Sequence, residues 1–260
     1  MNKGPRVSVI RLHGAIGMAG RGGALSDAAL APVIERAFRK GKPAAVALSI
    51  NSPGGSPVQS SLIAARIRRL AQETKVPVHA FVEDVAASGG YWLACAADDI
   101  WADDSSILGS IGVISAGFGF QELIARWGIE RRVHTAGRSK STLDPFRPER
   151  PEDVERLHNV LEPIHQAFKD HVVARRGNRL AVDRDLFTGE FWAGRQSVDL
   201  GLADGIGHLV PRIKALYGDK TRFVVHAPRP SLFRRLGLSA ETLLDAAEER
   251  AGFARYGAGG

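Results

Sequence analysis

Apolar strand-like segments that end in small-residue turns and lead into amphipathic helices are the feature that most constrains the fold of this chain. The segment 45–50 has the pattern of a buried strand, and the turn 51–55 connects it to a helical pattern. A second such strand, 76–82, leads to Ser88 and then to another helical stretch. Repeated strand–turn–helix units with short connections predict an α/β fold with a mainly parallel sheet.

Three segments have apolar residues at the spacing of one helix face. Ser26 is the expected N-cap of the first, and residues 151–176 form the longest, in which Pro163 predicts a kink. The predicted buried faces of the first two helices are Leu30, Val33, Ile34, Ala37 and Phe38, and then Val58, Leu62, Ile63, Ile67 and Leu70.

One domain, residues 1–228, is predicted, followed by a C-terminal tail. The tail, residues 229–260, is basic and alanine-rich, with one helical pattern and a glycine-rich end. We expect the tail to be partly helical or disordered and peripheral to the fold.

Charge and cysteine content restrict the partners and the compartment. The net charge of +7 permits contact with nucleic acid or an anionic membrane, but the basic residues are scattered and lack interleaved aromatic side chains. We therefore expect no nucleic-acid site. The lone cysteine, Cys95, excludes an internal disulfide, fits a reducing compartment and is expected to be buried and inert. No histidine or acidic cluster has metal-binding spacing, so neither a metal nor a cofactor is predicted.

No apolar stretch of this sequence has the length of a signal-peptide core or of a membrane-spanning helix. A cytoplasmic location is therefore expected. Peripheral contact with the inner membrane is an alternative that the basic surface allows.

Ser88 and Lys140 are the candidates for catalysis. Ser88 precedes two glycines at a strand-to-helix turn, where its hydroxyl is exposed and the amide of Gly89 can point at a developing oxyanion. A neutral lysine amine can serve as the base for a serine nucleophile, which requires that the amine be desolvated. As isolated residues, Ser88 is more typical of an N-cap and Lys140 of a surface charge than of a catalytic pair.

Two further turns supply groups that such a site needs. In the turn 51–55, Gly54 or Gly55 can present a backbone N–H to a substrate carbonyl, where a side chain would prevent close approach. Ser110 can hold a lysine amine by hydrogen bonding. The simpler alternatives are a proline-glycine turn and a plain turn serine.

Taken together and in this order, the segments resemble the signal peptide peptidase A family of serine peptidases. The resemblance runs from Val7 to about Val210, and several motifs in the family's order are far more specific than any single motif. These motifs are Asn51-Ser52-Pro53-Gly54-Gly55, Ala87-Ser88-Gly89-Gly90-Tyr91, Gly109-Ser110-Ile111-Gly112-Val113, Gly137-Arg138-Ser139-Lys140-Ser141, and Phe191-Trp192-Ala193-Gly194-Arg195-Gln196 leading to Leu200-Gly201-Leu202-Ala203-Asp204.

The resemblance implies a role for each candidate residue. Ser88 is the implied nucleophile, Lys140 the general base and Ser110 the residue that orients the lysine. The amides of Gly54 and Gly89 are the implied oxyanion hole. The resemblance also implies a Clp protease/crotonase-like fold of repeated ββα units. It further implies a homo-oligomeric ring, in which the dyad pairs within one chain or across an interface.

The implied function is a serine endopeptidase that cleaves small apolar peptides through an acyl-enzyme. Family members usually carry an N-terminal membrane anchor, whereas this sequence passes directly from residues 1–6 into the first strand. One alternative is a crotonase-like acyl-CoA enzyme that uses the same oxyanion hole without a nucleophilic serine, which leaves the Lys140 motif without a role. The other is a catalytically silent oligomeric scaffold.

Overall fold

A mostly parallel β-sheet forms the centre of the structure, a computed structural model that describes residues 4–17, 25–227 and 253–256. Its strands are β1 (Arg6–His13), β2 (Ala45–Ser52), β3 (Val78–Ala87), β4 (Asp99–Ala102), β5 (Ile107–Gly109), β6 (Phe191–Ala193), β7 (Gly205–Ile206) and β8 (Arg222–His226). The helices are α1 (Asp27–Arg39), α2 (Pro57–Thr74), α3 (Gly89–Ala94), α4 (Gln121–Arg126), α5 (Pro151–Arg176), α6 (Gly194–Asp199) and α7 (Leu209–Tyr217).

The strands follow the order β6-β5-β3-β2-β1-β8 across the sheet, and β4 lies beside this path, paired with β3 and β7. Every pair is parallel except β5 with β6. Because β1, β2 and β3 are parallel neighbours, their carboxyl ends meet at one edge of the sheet, where ligands of such sheets bind. The predicted α/β fold with a mainly parallel sheet is confirmed.

The chain divides into two compact units. The first comprises residues up to Gly112 and from Phe168 onwards, and it contains the whole sheet. The second comprises Val113–Ala167, with α4 and most of α5. A single domain over residues 1–228 stays a prediction. The predicted tail lies outside the described residues except for positions 253–256.

The apolar face of α1 is buried as predicted, from Leu30 to Phe38. Ser26 is its N-cap, and the serine hydroxyl accepts a hydrogen bond from the amide of Ala29. The predicted face of α2 is partly wrong, because Val58 and Leu62 are 65% and 46% exposed. The buried face of α2 instead includes small residues, which allow close approach to the neighbouring turns; it consists of Ser60, Ile63, Ala64, Ile67, Leu70 and Ala71.

Helix α5 spans Pro151–Arg176, the bounds that the sequence predicted. Its Phe168 and Val172 are buried, both in the first unit. Pro163 lies inside the helix, and the kink there stays a prediction.

Cys95 follows α3 and is 1% exposed. Burial raises the pKa of its thiol to about 12, so the thiol is protonated at neutral pH. The expectation of a buried, inert cysteine is confirmed.

An ion pair between Arg176 and Asp204 holds the end of the last sequence motif, residues 191–204. The guanidinium of Arg176, 3% exposed, donates to the carboxylate of Asp204 at 2.7 Å and to the carbonyl of Gly201 at 2.7 and 2.9 Å. The backbone amide of Ile100 donates to the same carboxylate at 2.7 Å. Burial opposes ionisation of Asp204, but the bonds from Arg176 outweigh it and lower the pKa of Asp204. This motif therefore joins α5 to β4.

Asp204→Ala is expected to lower the free energy of unfolding by about 3–5 kcal/mol, because it leaves a buried guanidinium unpaired. Urea denaturation measures the loss, with Asp199→Ala, at an exposed position of α6, as a control that changes stability by less than about 0.5 kcal/mol. Because folding lowers the pKa of Asp204, its contribution is complete above the ordinary value of 3.8 and is lost as the pH falls through the lowered value. Equal losses in the two variants would contradict this role.

Candidate functional site

Ser88 lies at the turn between β3 and α3 in a conformation that is rare for residues other than glycine. Its φ is 51° and its ψ is −121°, and its side chain makes no capping hydrogen bond to α3. Such a backbone costs about 1–3 kcal/mol and persists only where the surroundings impose it. The interpretation of Ser88 as an ordinary side-chain N-cap is therefore wrong, and its half-buried hydroxyl is left for another use.

Gly54 packs directly against this turn. Its φ is 98°, and a Cβ at this position would lie 2.8 Å from the carbonyl oxygen of Ala87 and 2.9 Å from the Cβ of Ser88. The same Cβ would lie 2.8 Å from the backbone nitrogen of Gly89. The structure thus brings the two glycines predicted as oxyanion donors together at the candidate nucleophile.

Gly89 is the first residue of α3, and it is buried. A Cβ there would collide with the hydroxyl of Ser60 on α2 and would lie 3.2 Å from the side chain of Ile16. The backbone amide of a residue at this position has no partner within its own helix. A side chain at this position would therefore disturb the close packing of these three segments.

The segment after β1 is a part of the site that the sequence analysis missed. The amide of Ile16 donates to the carbonyl of Gly54 at 2.8 Å, and the amide of Ser56 donates to the carbonyl of Ile16 at 2.8 Å. These two bonds hold the turn 51–55 against the segment that follows β1. The signal available was the glycine-flanked segment Gly14-Ala15-Ile16-Gly17 directly after a buried strand, at the same edge of the sheet.

Ser110 lies just beyond β5, beside the Ser88 turn. The amide of Ser88 donates to the carbonyl of Gly109 at 2.8 Å, and the amide of Ser110 donates to the carbonyl of Glu190 at 2.6 Å. The φ of Ser110 is 53°, a second left-handed non-glycine residue at this edge. These bonds hold the backbone of Ser110 beside the Ser88 turn, and its role in orienting the lysine stays a prediction.

Lys140 belongs to the second unit, in the turn that begins at Gly137. Its amide donates to the carbonyl of Gly137 at 3.2 Å, and the hydroxyl of Thr142 donates to the carbonyl of Ser139 at 2.6 Å. The side chain of Lys140 is exposed in the single chain. Its pairing with Ser88, within a chain or across an interface, stays a prediction.

A serine, a histidine and a carboxylate also meet on the strands, at Ser49, His13 and Glu83. Nε2 of His13 lies 2.7 Å from Oγ of Ser49 and 3.4 Å from Oε1 of Glu83, while Ser49 donates to Glu83 at 2.6 Å. The hydrogen bond from His13 is the main cause that lowers the pKa of Glu83. A hydrolytic triad requires the carboxylate at Nδ1 and the serine at Nε2. This cluster has both partners at Nε2 and a 4% exposed serine, so it is not a nucleophilic triad.

Comparison with known families identifies the chain. The family model for peptidase family S49 matches residues 70–218, more than half of the sequence, including Ser88, Ser110 and Lys140. The chain belongs to peptidase family S49. The resemblance to the signal peptide peptidase A family of serine peptidases is thereby confirmed.

Several curated proteins are similar to this S49 chain. A protein of Brucella melitensis named Na(+)/H(+) antiporter NhaA is 48% identical over 96% of this chain and 37% of its own length. The chloroplastic serine protease SPPA of Arabidopsis thaliana is 32% identical over 78% of this chain and 31% of its own length. The probable protease SohB of Haemophilus influenzae is 32% identical over 75% of this chain and 55% of its own length. The chain thus spans between about a third and just over half of these relatives.

A solved structure has the same fold as this S49 chain. It is a mutant of the 1510-N membrane-bound stomatin-specific protease, with a TM-score of 0.51 and 14% identity, and the match covers 89% of this chain and 100% of that chain. The Clp protease/crotonase-like α/β fold is confirmed.

Two properties of the described residues bear on ligands and membranes. In residues 4–17, 25–227 and 253–256, no group of three or more His, Cys, Asp or Glu side chains is placed to hold a metal ion. None of the helices in that part of the S49 chain has the length and the apolar composition needed to cross a membrane.

Proposed function

We propose that this chain is a serine endopeptidase that uses Ser88 as nucleophile and Lys140 as general base. The observation that carries the proposal is the convergence of Ser88 with the backbones of Gly54 and Gly89 in a chain of family S49. Strained serines at strand-to-helix turns are typical of hydrolase nucleophiles, because the turn exposes the hydroxyl at the edge of the sheet.

The backbone at the turn supports an oxyanion hole made of two amides. The amide of Gly54 has a long hydrogen bond of 3.3 Å to the hydroxyl of Ser52, near the upper limit for such a bond. A substrate oxyanion would be a stronger acceptor for that amide. The amide of Gly89 begins α3 and is free of helical bonding. Donors held this rigidly lower the energy of a tetrahedral intermediate without reorganisation.

Lys140 acts as the base only as a neutral amine, and desolvation is what disfavours its charged form. Since Lys140 is exposed in the single chain, the proposal includes a homo-oligomeric ring whose assembly covers the amine. Ser110 orients that amine by a hydrogen bond, from the same chain as Ser88. The amine itself comes from the same or a neighbouring chain.

The proposed reaction proceeds through a seryl ester. The proton of the Ser88 hydroxyl passes to Nζ of Lys140 as Oγ bonds to the peptide carbonyl carbon. The ammonium returns this proton to the departing nitrogen as the C–N bond breaks. Water then attacks the ester, its proton passes through the amine to Oγ, and the acid product leaves.

The proposed substrates are small apolar peptides, and exposed apolar side chains near the Lys140 turn support this class. Within the second unit, a cavity of about 700 Å³ is lined by the apolar Phe118 and Leu143 and also by charged side chains such as Asp144 and Arg147. The phenyl ring of Phe118 is 80% exposed. Peripheral contact with an anionic membrane, which the charge of +7 favours, would bring the enzyme to such peptides.

Gly54→Ala tests the oxyanion hole in a peptide-cleavage assay. A methyl group would meet three backbone or Cβ atoms within 2.9 Å and displace the amide, so we expect kcat/KM for a quenched apolar peptide to fall about a hundredfold. Gly218→Ala is the matched control: its φ is 92°, close to that of Gly54, and nothing lies within 4 Å of the added Cβ. The control variant is expected to keep its activity. Equal activities of the two variants, or no cleavage by the wild-type protein, would refute the proposal.

A further inference from the structure

The C-terminal turn 253–256 touches the candidate site through Tyr256. The hydroxyl of Tyr256 donates to Oγ of Ser110 at 3.2 Å. Its ring meets the ring of Phe191 edge to face, with centroids 5.2 Å apart and an interplanar angle of 82°. The amide of Tyr256 donates to the carbonyl of Phe253 at 2.9 Å, which closes the turn. One side chain therefore makes both a polar and an aromatic contact.

The surface that receives Tyr256 is held by backbone hydrogen bonds and adjoins Ser88. Phe191 begins β6 and pairs with Gly109 of β5 in the antiparallel register. Gly109 in turn accepts the amide hydrogen bond of Ser88, and the next residue, Ser110, is fixed by its bond to Glu190. Ser110 thus follows β5 directly and Phe191 lies on its partner β6, and this strand pair is joined directly to the nucleophile turn.

The surface combines the apolar ring of Phe191 with the hydroxyl of Ser110. Phe191 remains 46% exposed with Tyr256 against it, so the apolar ring has room for a further or larger partner. An aromatic ring with a polar tip satisfies both groups, since edge-to-face ring pairs and a hydroxyl hydrogen bond each add to binding.

We infer that Ser110 and Phe191 form a binding site for an aromatic residue of a peptide, and that Tyr256 of the chain itself occupies it. This inference rests on the proposed function insofar as Ser110 is the residue that orients the base. A peptide substrate that approaches Ser88 along the β5–β6 edge then competes with the C-terminal turn. The apparent affinity for the substrate is the intrinsic affinity multiplied by the fraction of molecules in which the turn is undocked.

Cleavage kinetics of full-length variants test the competition. Tyr256→Ala removes both contacts and is expected to lower KM for an aromatic-containing peptide at least about fivefold, with kcat unchanged. Tyr256→Phe keeps the ring and gives an intermediate KM. Arg255→Ala, an exposed neighbour in the same turn, is the control and leaves KM unchanged. A lower kcat in Tyr256→Ala, or an unchanged KM, would overturn the inference.

A binding measurement decides the inference independently of catalysis. The probe is a fluorescein-labelled synthetic peptide with the sequence of residues 249–260, and the receptor is the full chain with Ser88→Ala and Tyr256→Ala. We expect saturable fluorescence anisotropy, at least about fivefold weaker when Phe191→Ala is added or when the peptide carries alanine in place of its tyrosine. Equal binding by both peptides would overturn the site. If the wild-type protein cleaves no peptide but the probe binds as expected, the proposed function fails and the binding site stands.

Discussion

Ser88→Ala is expected to lower kcat for peptide hydrolysis by about a millionfold, the size of effect seen when a serine peptidase loses its nucleophile. The expectation follows from the half-buried hydroxyl at a strained turn beside two packed glycines. Cleavage of a quenched apolar peptide measures the loss. Ser105→Ala, in an exposed turn elsewhere, is the control and retains activity.

The strain at Ser88 provides a second measurement that a purely structural serine would not satisfy. Ser88→Gly also removes the nucleophile, but glycine adopts a φ of 51° freely, so this variant is expected to be more stable than wild type by up to about 1–3 kcal/mol. Urea denaturation measures the gain. Loss of activity together with a gain in stability is typical of a residue kept for function. Residual activity in both variants would contradict the nucleophile.

Lys140→Met is expected to lower kcat about a thousandfold to ten-thousandfold, because methionine keeps the length of the side chain and removes the base. Lys140→Arg is expected to be as inactive, since a guanidinium does not lose its proton in proteins. Steady-state kinetics at neutral pH measure both. Arg138→Met removes an exposed cation from the same turn and is expected to retain activity.

These variants test whether Lys140 is the base of Ser88 and whether the two residues come from the same chain. If Lys140→Met cleaves peptide at the wild-type rate at neutral pH, Ser88 has another base and the dyad is wrong. If the inactive Ser88→Ala and Lys140→Met chains are mixed and activity returns, the two residues pair across an interface. If the mixture stays inactive, they pair within one chain, provided that subunits exchange.

Much of the fold could be predicted from local pattern. The buried face of α1, its Ser26 cap and the bounds of α5 follow from apolar spacing and capping chemistry alone. The face of α2 could not, because its contacts favour small residues such as Ser60 and Ala64 over the larger Val58 and Leu62. Where segments pack very closely, small side chains fill the interface, and hydrophobicity alone then does not predict which residues are buried.

The candidate site, like the fold, could be predicted from the sequence only in part. Gly54, Ser88 and Gly89 could be placed together because parallel strands bring their carboxyl ends to one edge. The contribution of Ile16 could not, since it depends on two backbone bonds between segments almost forty residues apart along the chain. The contact of Tyr256 with Ser110 lies still further apart in sequence and has no motif to indicate it.

Labelling with a fluorophosphonate tests directly whether Ser88 is an activated nucleophile. The reagent bonds covalently to activated serines, and mass spectrometry of the intact and the digested protein locates the adduct. One adduct per chain is expected on Ser88, formed slowly in Lys140→Met and absent in Ser88→Ala. No adduct, as an acyl-CoA enzyme or a silent scaffold would give, or an adduct on Ser49 or Ser110, would contradict this expectation.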